Sequence, residues 1–356
     1  MKRGFIYLLA ATILALVAVA VFVPGELSVE DTAANALLLP DLANRVNDVD
    51  RVDIITAGDT VVATLKKAAD YWQLEQMKGY QADWPKLQRL LADLATARVV
   101  EVKTDKPEYY VRLGVEDVAS EDAGSVLVRL SSGEETTGVL IGRRAQGRPG
   151  QYVRLQDSVT SALLDRTLDV PTKQLDWVNK RIIDISASEV AEVEIIHPEG
   201  GRVLLTKISA DQTDFDLVGL PPDREIRSSW AVNSLGSALS LLDLESVRPA
   251  DSVDWNAAVR MRVLMFSGLE IMAEMVELGE DNLVRLQASN PAAAVVKDEA
   301  GITSDDSVEQ RAAQDVAKMV TDINQRVNGW AYAIARYKFE AMVKTQEDIL
   351  KPVESS

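Results

Sequence analysis

The run VDRVDII (Val49–Ile55) alternates apolar and charged residues, and VAEVEII (Val190–Ile196) repeats that alternation. A period of two marks a half-buried strand. Each run meets a turn, Gly58-Asp59 or Glu199-Gly200-Gly201, and then a second apolar run, VVATLKK or RVLLTKI. Both places therefore predict a β-hairpin. YWQLEQ (Tyr71–Gln76) and DFDLVG (Asp214–Gly219) come after the hairpins, each with an aromatic residue two before a leucine. A helix comes next in each half. The first carries Leu87, Leu90, Leu91 and Leu94; the second carries Val232, Leu235 and Leu239 at helical spacing. Trp84 and Trp230 open these helices, and the equivalence predicts that both pack in the core.

The correspondence continues through ARVVEV and LESV, read as strands, and then an acidic stretch. LVRLSSGEETTGVLIG (Leu127–Gly142) matches RVLMFSGLEIMAEMVELG (Arg262–Gly279), a second hairpin with Ser-Gly at or near its turn. YVRLQDS (Tyr152–Ser158) and LVRLQAS (Leu283–Ser289) share five of seven residues. A shared order of elements predicts two copies of one α+β unit, residues 49–180 and 181–350. Each is expected as a mostly antiparallel sheet with a helix packed on one face. The copies diverge after the shared strand. SVTSALLDRTL reads as helical in the first. The second has an alanine-rich, then acidic insertion near 290–307, which reads as a flexible loop, with Asp305-Asp306 capping the next helix. That helical segment covers Val308–Val327 and leads to GWAYAIARYKFEAM, where Ala333, Tyr337, Phe339 and Met342 supply an apolar helical face.

Ahead of the copies, Lys2 and Arg3 precede an uncharged apolar run from Phe5 to Val23, ended by Pro24-Gly25. Such a helix spans about 30 Å, the thickness of a bilayer's hydrocarbon core. Residues 1–25 are therefore expected to anchor the chain in the inner membrane by a single pass. The basic flank predicts a cytoplasmic N-terminus and a periplasmic or extracytoplasmic bulk. A cleaved leader is the rival reading, since Ala18 and Ala20 offer an A-x-A site. Residues 26–48, small and acidic around Leu37–Leu39, read as a tether.

Composition narrows the function. The 356 residues are 47% hydrophobic and 26% charged, with a net charge of −17. A strongly acidic chain argues against nucleic acid as a partner, which needs clustered Lys and Arg. Cysteine is absent, which excludes a thiolate metal site or a cysteine nucleophile.

One stretch stands out against the acidic background. IGRRAQGRPGQYVRL (Ile141–Leu155) places Gly142 and Gly147 five apart, as in a phosphate loop. Arg148 and Pro149 then stand where Lys and Ser or Thr belong, and a strand comes next where a helix is required. The second copy crosses the same point with Glu280–Asn282 alone. The stretch therefore reads as a hairpin with an elaborated tip, and Arg143, Arg144 and Arg148 are its candidate partner-docking residues. His197, the only histidine, precedes Pro198 and reads as a turn residue. Asp48, Asp50 and Asp53 lack the spacing of a calcium loop. No nucleophile, base and oxyanion donor assemble in the pattern, so no catalytic residue, metal or cofactor is expected and the protein reads as a non-enzyme.

With the YVRL strand, LDWVNKRII (Leu175–Ile183) and GWAYAIARYKFEAM in place, the chain resembles the bacterial family called domain of unknown function 4340. That resemblance implies an auxiliary protein of ABC-type transporters, similar to the gliding-motility system, acting through protein–protein contacts. The partner it implies is a transporter permease or a companion extracytoplasmic subunit. The alternative is an envelope module that binds a ligand or glycan in a groove between the repeats.

Overall fold

A computed structural model describes residues 35–69, 71–291 and 307–352. They form two compact units. The first holds the described residues up to Trp72 together with Asp83–Lys173, and the second holds Gln73–Ala82 and the described residues from Gln174 onward.

Nine strands precede Lys173: β1 (Arg51–Thr56), β2 (Thr60–Lys67), β3 (Trp72–Leu74), β4 (Tyr80–Gln81), β5 (Val99–Val102), β6 (Val126–Ser132), β7 (Glu135–Arg144), β8 (Gln151–Leu155) and β9 (Ser161–Leu164). They join in one antiparallel sheet, ordered β4-β3-β2-β1-β6-β7-β8-β9-β5. Among the described residues three α-helices accompany them, α1 (Leu42–Arg45), α2 (Trp84–Thr96) and α3 (Tyr110–Leu113). Helix α2 starts where the Asp83 carboxylate accepts the Lys86 amide at 3.2 Å and Pro85 needs no donor of its own. Its leucines 87, 90, 91 and 94 are all buried. Each fully buried leucine contributes about 1.5–3 kcal/mol, so this stripe is what holds the helix in place.

The second unit carries β10 (Arg181–Ile183), β11 (Val190–Ile196), β12 (Arg202–Thr206), β13 (Asp216–Leu217), β14 (Leu242–Pro249), β15 (Val259–Met265), β16 (Glu270–Leu278), β17 (Asp281–Ser289) and β18 (Trp330–Ile334). Its helices are α4 (Ser229–Gly236), α5 (Ser307–Val327), α6 (Arg336–Met342) and α7 (Gln346–Ile349). The sheet order is β10-β14-β18-β17-β16-β15-β11-β12-β13. Reversed, this order matches the first sheet over eight strands, with β4 and β10 unmatched at opposite edges. β13, β12, β11, β15, β16, β17, β18 and β14 answer to β3, β2, β1, β6, β7, β8, β9 and β5. In both, a helix (α2 or α4) comes after β3 or β13, and the strand after the helix, β5 or β14, lies toward the far side of the sheet.

The repeated VRLQ segment has a physical counterpart in both units. Arg154, on β8, is buried; its Nε donates to the Val115 carbonyl and its Nη1 to the Ser158 carbonyl, both at 3.0 Å. Its Nη2 lies 3.1 Å from Asp117 Oδ1, close enough for an ion pair though not aligned as a hydrogen bond. The guanidinium also lies 4.6 Å from the centre of the Tyr110 ring. Arg285, at the equivalent place on β17, lies 4.7 Å from the Trp255 ring centre and donates from Nε to Glu274 at 2.6 Å. In each unit an arginine thus pins the connection that precedes the second hairpin onto the sheet.

The architecture corrects the α+β expectation. Two nine-stranded antiparallel sheets dominate, and helices are few. Two segments read as helical are strands: Ser161–Leu164 forms β9, and Trp330–Ile334 forms β18. Both lie between two other strands and are mostly buried on both faces, so they lack the alternation that marks a half-exposed strand. Helix α6 begins only at Arg336, burying Phe339 and Met342, while Ala333 belongs to β18. The apolar patch Leu37–Leu39 packs on the first unit, with Leu38 and Leu39 buried and Leu37 bridging Arg98. The transmembrane helix expected over Phe5–Val23, the acidic stretch 292–306 and the Asp305-Asp306 cap lie outside the described residues. Among the described residues no helix is long and apolar enough to cross a membrane.

One face of the second sheet carries a charge ladder. Arg262 pairs with Glu192, with Glu194 at 3.1 Å and with Glu270 at 3.3 Å, and Arg202 reaches Glu194 at 2.6 Å. Partial burial pushes the Glu194 carboxyl up, but hydrogen bonds from Arg202 and Arg262 outweigh it and hold the group below its ordinary 4.5. A depressed folded pKa stabilises the fold above 4.5, and that stabilisation is lost as pH falls through the folded value. Glu194→Gln is therefore expected to cost about 1 kcal/mol at neutral pH and progressively less as pH falls below 4.5, by urea denaturation across that range. Arg154→Ala, which strands two buried carbonyls, is expected to cost about 2–4 kcal/mol at neutral pH, and Arg285→Ala about 1 kcal/mol.

Candidate functional site

The β7–β8 connection is a hairpin, as its pattern predicts. The Ala145 amide donates to the Gly150 carbonyl at 2.9 Å, and the ladder shifts register between Ile141 and Arg144. The stretch runs from strand to strand, so no helix N-terminus presents amides to a phosphate. Its glycines have steric roles. A Cβ on Gly142 would stand 2.4 Å from the Leu113 carbonyl oxygen, and Gly150, at φ +118°, would place one 2.3 Å from that of Leu164. Both glycines let neighbouring backbone approach.

The three arginines at this tip divide into two kinds. Arg148 is engaged, its Nη2 donating to Glu101 Oε2 at 2.6 Å, and this contact raises the Arg148 pKa. Glu101 is lowered in turn, first by Lys103 and then by Arg148. Arg143 and Arg144 are exposed at the end of β7, and neither has an ion-pair partner among the described residues. Arg143 lies beside Gly114, which ends α3 in a left-handed conformation. In the second unit the same connection is a two-residue turn, Gly279-Glu280, between β16 and β17.

His197 is a buried turn residue. Its amide donates to the Gly201 carbonyl at 2.8 Å, and its Nε2 lies 3.3 Å from the Lys344 carbonyl oxygen. Asp53 is buried on β1, accepting Thr64 Oγ1 at 2.7 Å and Arg51 Nε at 2.8 Å. Among the described residues no three His, Asp or Glu side chains converge as metal ligands would.

The tryptophans depart from expectation. Trp72, Trp177 and Trp255 are buried, but Trp84 is 43% exposed and Trp230 75% exposed. Opening position on a helix, not core packing, is what Trp84 and Trp230 share. In the first unit the exposed ring is covered by its own chain: Trp84 stacks on Trp72, with ring centres 6.4 Å apart and planes 12° from parallel. In the second unit Phe215 answers to Trp72, yet it packs inward against Gly236 and Lys207. Trp230 instead divides two cavities of about 390 and 360 Å³ between α4 and the α6–α7 segment. Tyr337, 68% exposed, lines the smaller one with Lys338, while Lys344 lines both. Sequence reasoning placed Tyr337 on the apolar face of α6 and missed the two lysines. The readable signal was spacing: Phe339 and Met342 stand three apart, and Tyr337 falls off their stripe.

A family model matches residues 72–258, more than half of the 356. The chain belongs to the DUF4340 family, described as a domain of unknown function. No curated protein and no solved structure matches the chain. The DUF4340 match starts at β3 and ends just before β15, so it takes in α2, the arginine hairpin and α4.

The contrast between the two tryptophans has a measurable consequence. Trp84→Ala, which loses an aromatic stack, is expected to lower unfolding free energy by about 1–2 kcal/mol. Trp230→Ala is expected to change it by less than about 0.5 kcal/mol. Urea denaturation of the two variants checks both values.

Proposed function

We propose that this DUF4340 protein is a non-enzymatic, membrane-anchored extracytoplasmic accessory subunit that docks on an ABC-type transporter through protein–protein contacts. The resemblance to transporter-associated auxiliary proteins motivates the reading, and the Phe5–Val23 run would hold the chain beside a permease. The observation that carries it is the β7–β8 tip. Two arginines without ion pairs among the described residues stand exposed at the end of β7, in a chain whose net charge is −17. A basic tip on an acidic protein gives an acidic patch of a partner one place to pair and so fixes its orientation. Arg148 belongs to the same tip, but its contact with Glu101 makes it a brace for the loop rather than a free contact.

The test is co-purification from native membranes after mild extraction. Arg143→Glu with Arg144→Glu is expected to weaken recovery of permease or companion subunit by about tenfold or more, with an unchanged urea midpoint. Arg148→Glu is expected to act less on recovery and more on the loop. A monodisperse monomer recovered without any transporter component overturns the reading.

A further inference from the structure

The first unit keeps an apolar cavity open beside β8, the strand whose counterpart in the second unit has a long helix against it. We propose that this cavity docks an amphipathic helix of a partner protein, one whose apolar stripe is flanked by lysine or arginine. The cavity measures about 300 Å³ and lies between α1 and the adjoining ends of β6, β7 and β8. It does not rest on the arginine tip, which stands at the other end of β7, about 30 Å away at the rise of a strand.

The repeat supplies the comparison. Leu155 on β8 answers to Leu286 on β17 in the shared heptad, and Leu286 is buried. Helix α5 stands against β17, where the Asn324 side chain bonds both backbone groups of Ala288 at 2.8 and 2.9 Å. Val316, Ile323 and Val327 are buried along one face of that helix. In the first unit β8 and β9 are joined by residues 156–160 alone, with no helix between them. Only the short α1 stands nearby, and Leu155 is half-buried. Leu38, Leu39 and Leu130, all buried, extend the apolar wall. A helix laying an apolar stripe into such a groove is a common mode of recognition.

Charge selects the helix. Asp41, Arg45 and Glu135 line the same cavity and are exposed, so they form its rim. Arg45 is shared between Glu135 at 2.6 Å and Asp48 at 3.6 Å, which leaves the rim with surplus negative charge. The Asp41 carboxylate does not cap α1 and makes no ion pair among the described residues. The Arg45 pairs are exposed and therefore weak, so Glu135 is available to an incoming cation. An apolar floor under an acidic rim suits an apolar stripe with basic flanks, whereas an acidic helix is repelled and an acyl chain gains nothing from the rim.

The experiment uses labelled peptides built on the α5 sequence, residues 307–327, because that helix covers β17 in the second unit. A basic peptide carries Asp315→Lys with Asp322→Lys, and an acidic one carries Lys318→Glu with Arg326→Glu. Each is titrated by fluorescence anisotropy with the full chain in mild detergent, with detergent alone as the blank. The basic peptide is expected to bind about tenfold more tightly than the acidic one, with an affinity that falls as salt rises. Thr137→Trp, which fills the cavity from β7, should weaken the basic peptide by about tenfold or more. Leu42→Trp fills it from α1 and should do the same, and urea midpoints report whether both variants fold. Asp41→Lys, at an exposed position, should narrow the preference between the peptides with an unchanged midpoint. Arg143→Glu with Arg144→Glu should leave peptide binding as it is. Absence of binding by the basic peptide, equal affinity for the two peptides, or full affinity in Thr137→Trp and Leu42→Trp overturns the proposal. So does a lipid chain held by the wild type and lost from Thr137→Trp in native mass spectrometry. A wild-type dimer in sedimentation that Thr137→Trp dissociates overturns it too, since a second copy would then cover the cavity.

Discussion

The last strand of each sheet in chain order inserts between two others, one of them distant in the chain. β9 lies between β8 and β5, and β18 lies between β17 and β14. The sheet therefore cannot close until the helical crossover has carried the chain from one edge to the other and set β5 or β14 in position. The leucine stripe of α2 keeps that crossover down by burying four side chains. β5 and β14 then face a gap that a single apolar strand fills. SALL and WAYAI are mostly buried because they are those filling strands. Non-local pairing of this kind is costly in loop-closure entropy and is repaid only when the whole sheet is complete.

The arginines of the repeated VRLQ strand act within that frame. The connection from β5 to β6, or from β14 to β15, has to run over the sheet to reach the central strand pair. Arg154 and Arg285 grip that connection through its aromatic residue, Tyr110 in one case and Trp255 in the other. Arg154 is the more demanding of the two, since a buried guanidinium needs its carbonyl and carboxylate partners. This explains why the best-matching heptad of the two halves is a strand carrying an arginine rather than a purely apolar segment.

Where the copies differ, the difference falls on exposed positions and carries the functional hypotheses. The hairpin tip is long and basic in one unit and a two-residue turn in the other. The helix-opening tryptophan is stacked on its own chain in one unit and free at a cleft in the other. The β17–β18 connection of the second unit includes α5, whose Asn324 amide exchanges two hydrogen bonds with the backbone of Ala288, at 2.8 and 2.9 Å. A shared frame with divergent surfaces is what duplication produces when packing constrains the core and solvent constrains nothing.

Local pattern alone was enough to read the hairpins, the α2 and α4 stripes, the Ser-Gly turns and the two-copy order of elements, because alternation and helical spacing are properties of a half-exposed segment. The same reasoning identified Gly142–Gly147 as part of a hairpin, since a strand comes after it. Two things escaped it. Strands buried on both faces have no alternation, so β9 and β18 read as helix, and the sheets came out larger and the helices fewer than expected. The exposure of Trp84 and Trp230 depends on which way Trp72 and Phe215 turn, and no spacing encodes that. The sequence by itself determined which segments could bury one face and that the pattern occurs twice. Only the tertiary structure decided which rings stay in water and which cations find partners, because those outcomes depend on side chains brought together from distant parts of the chain.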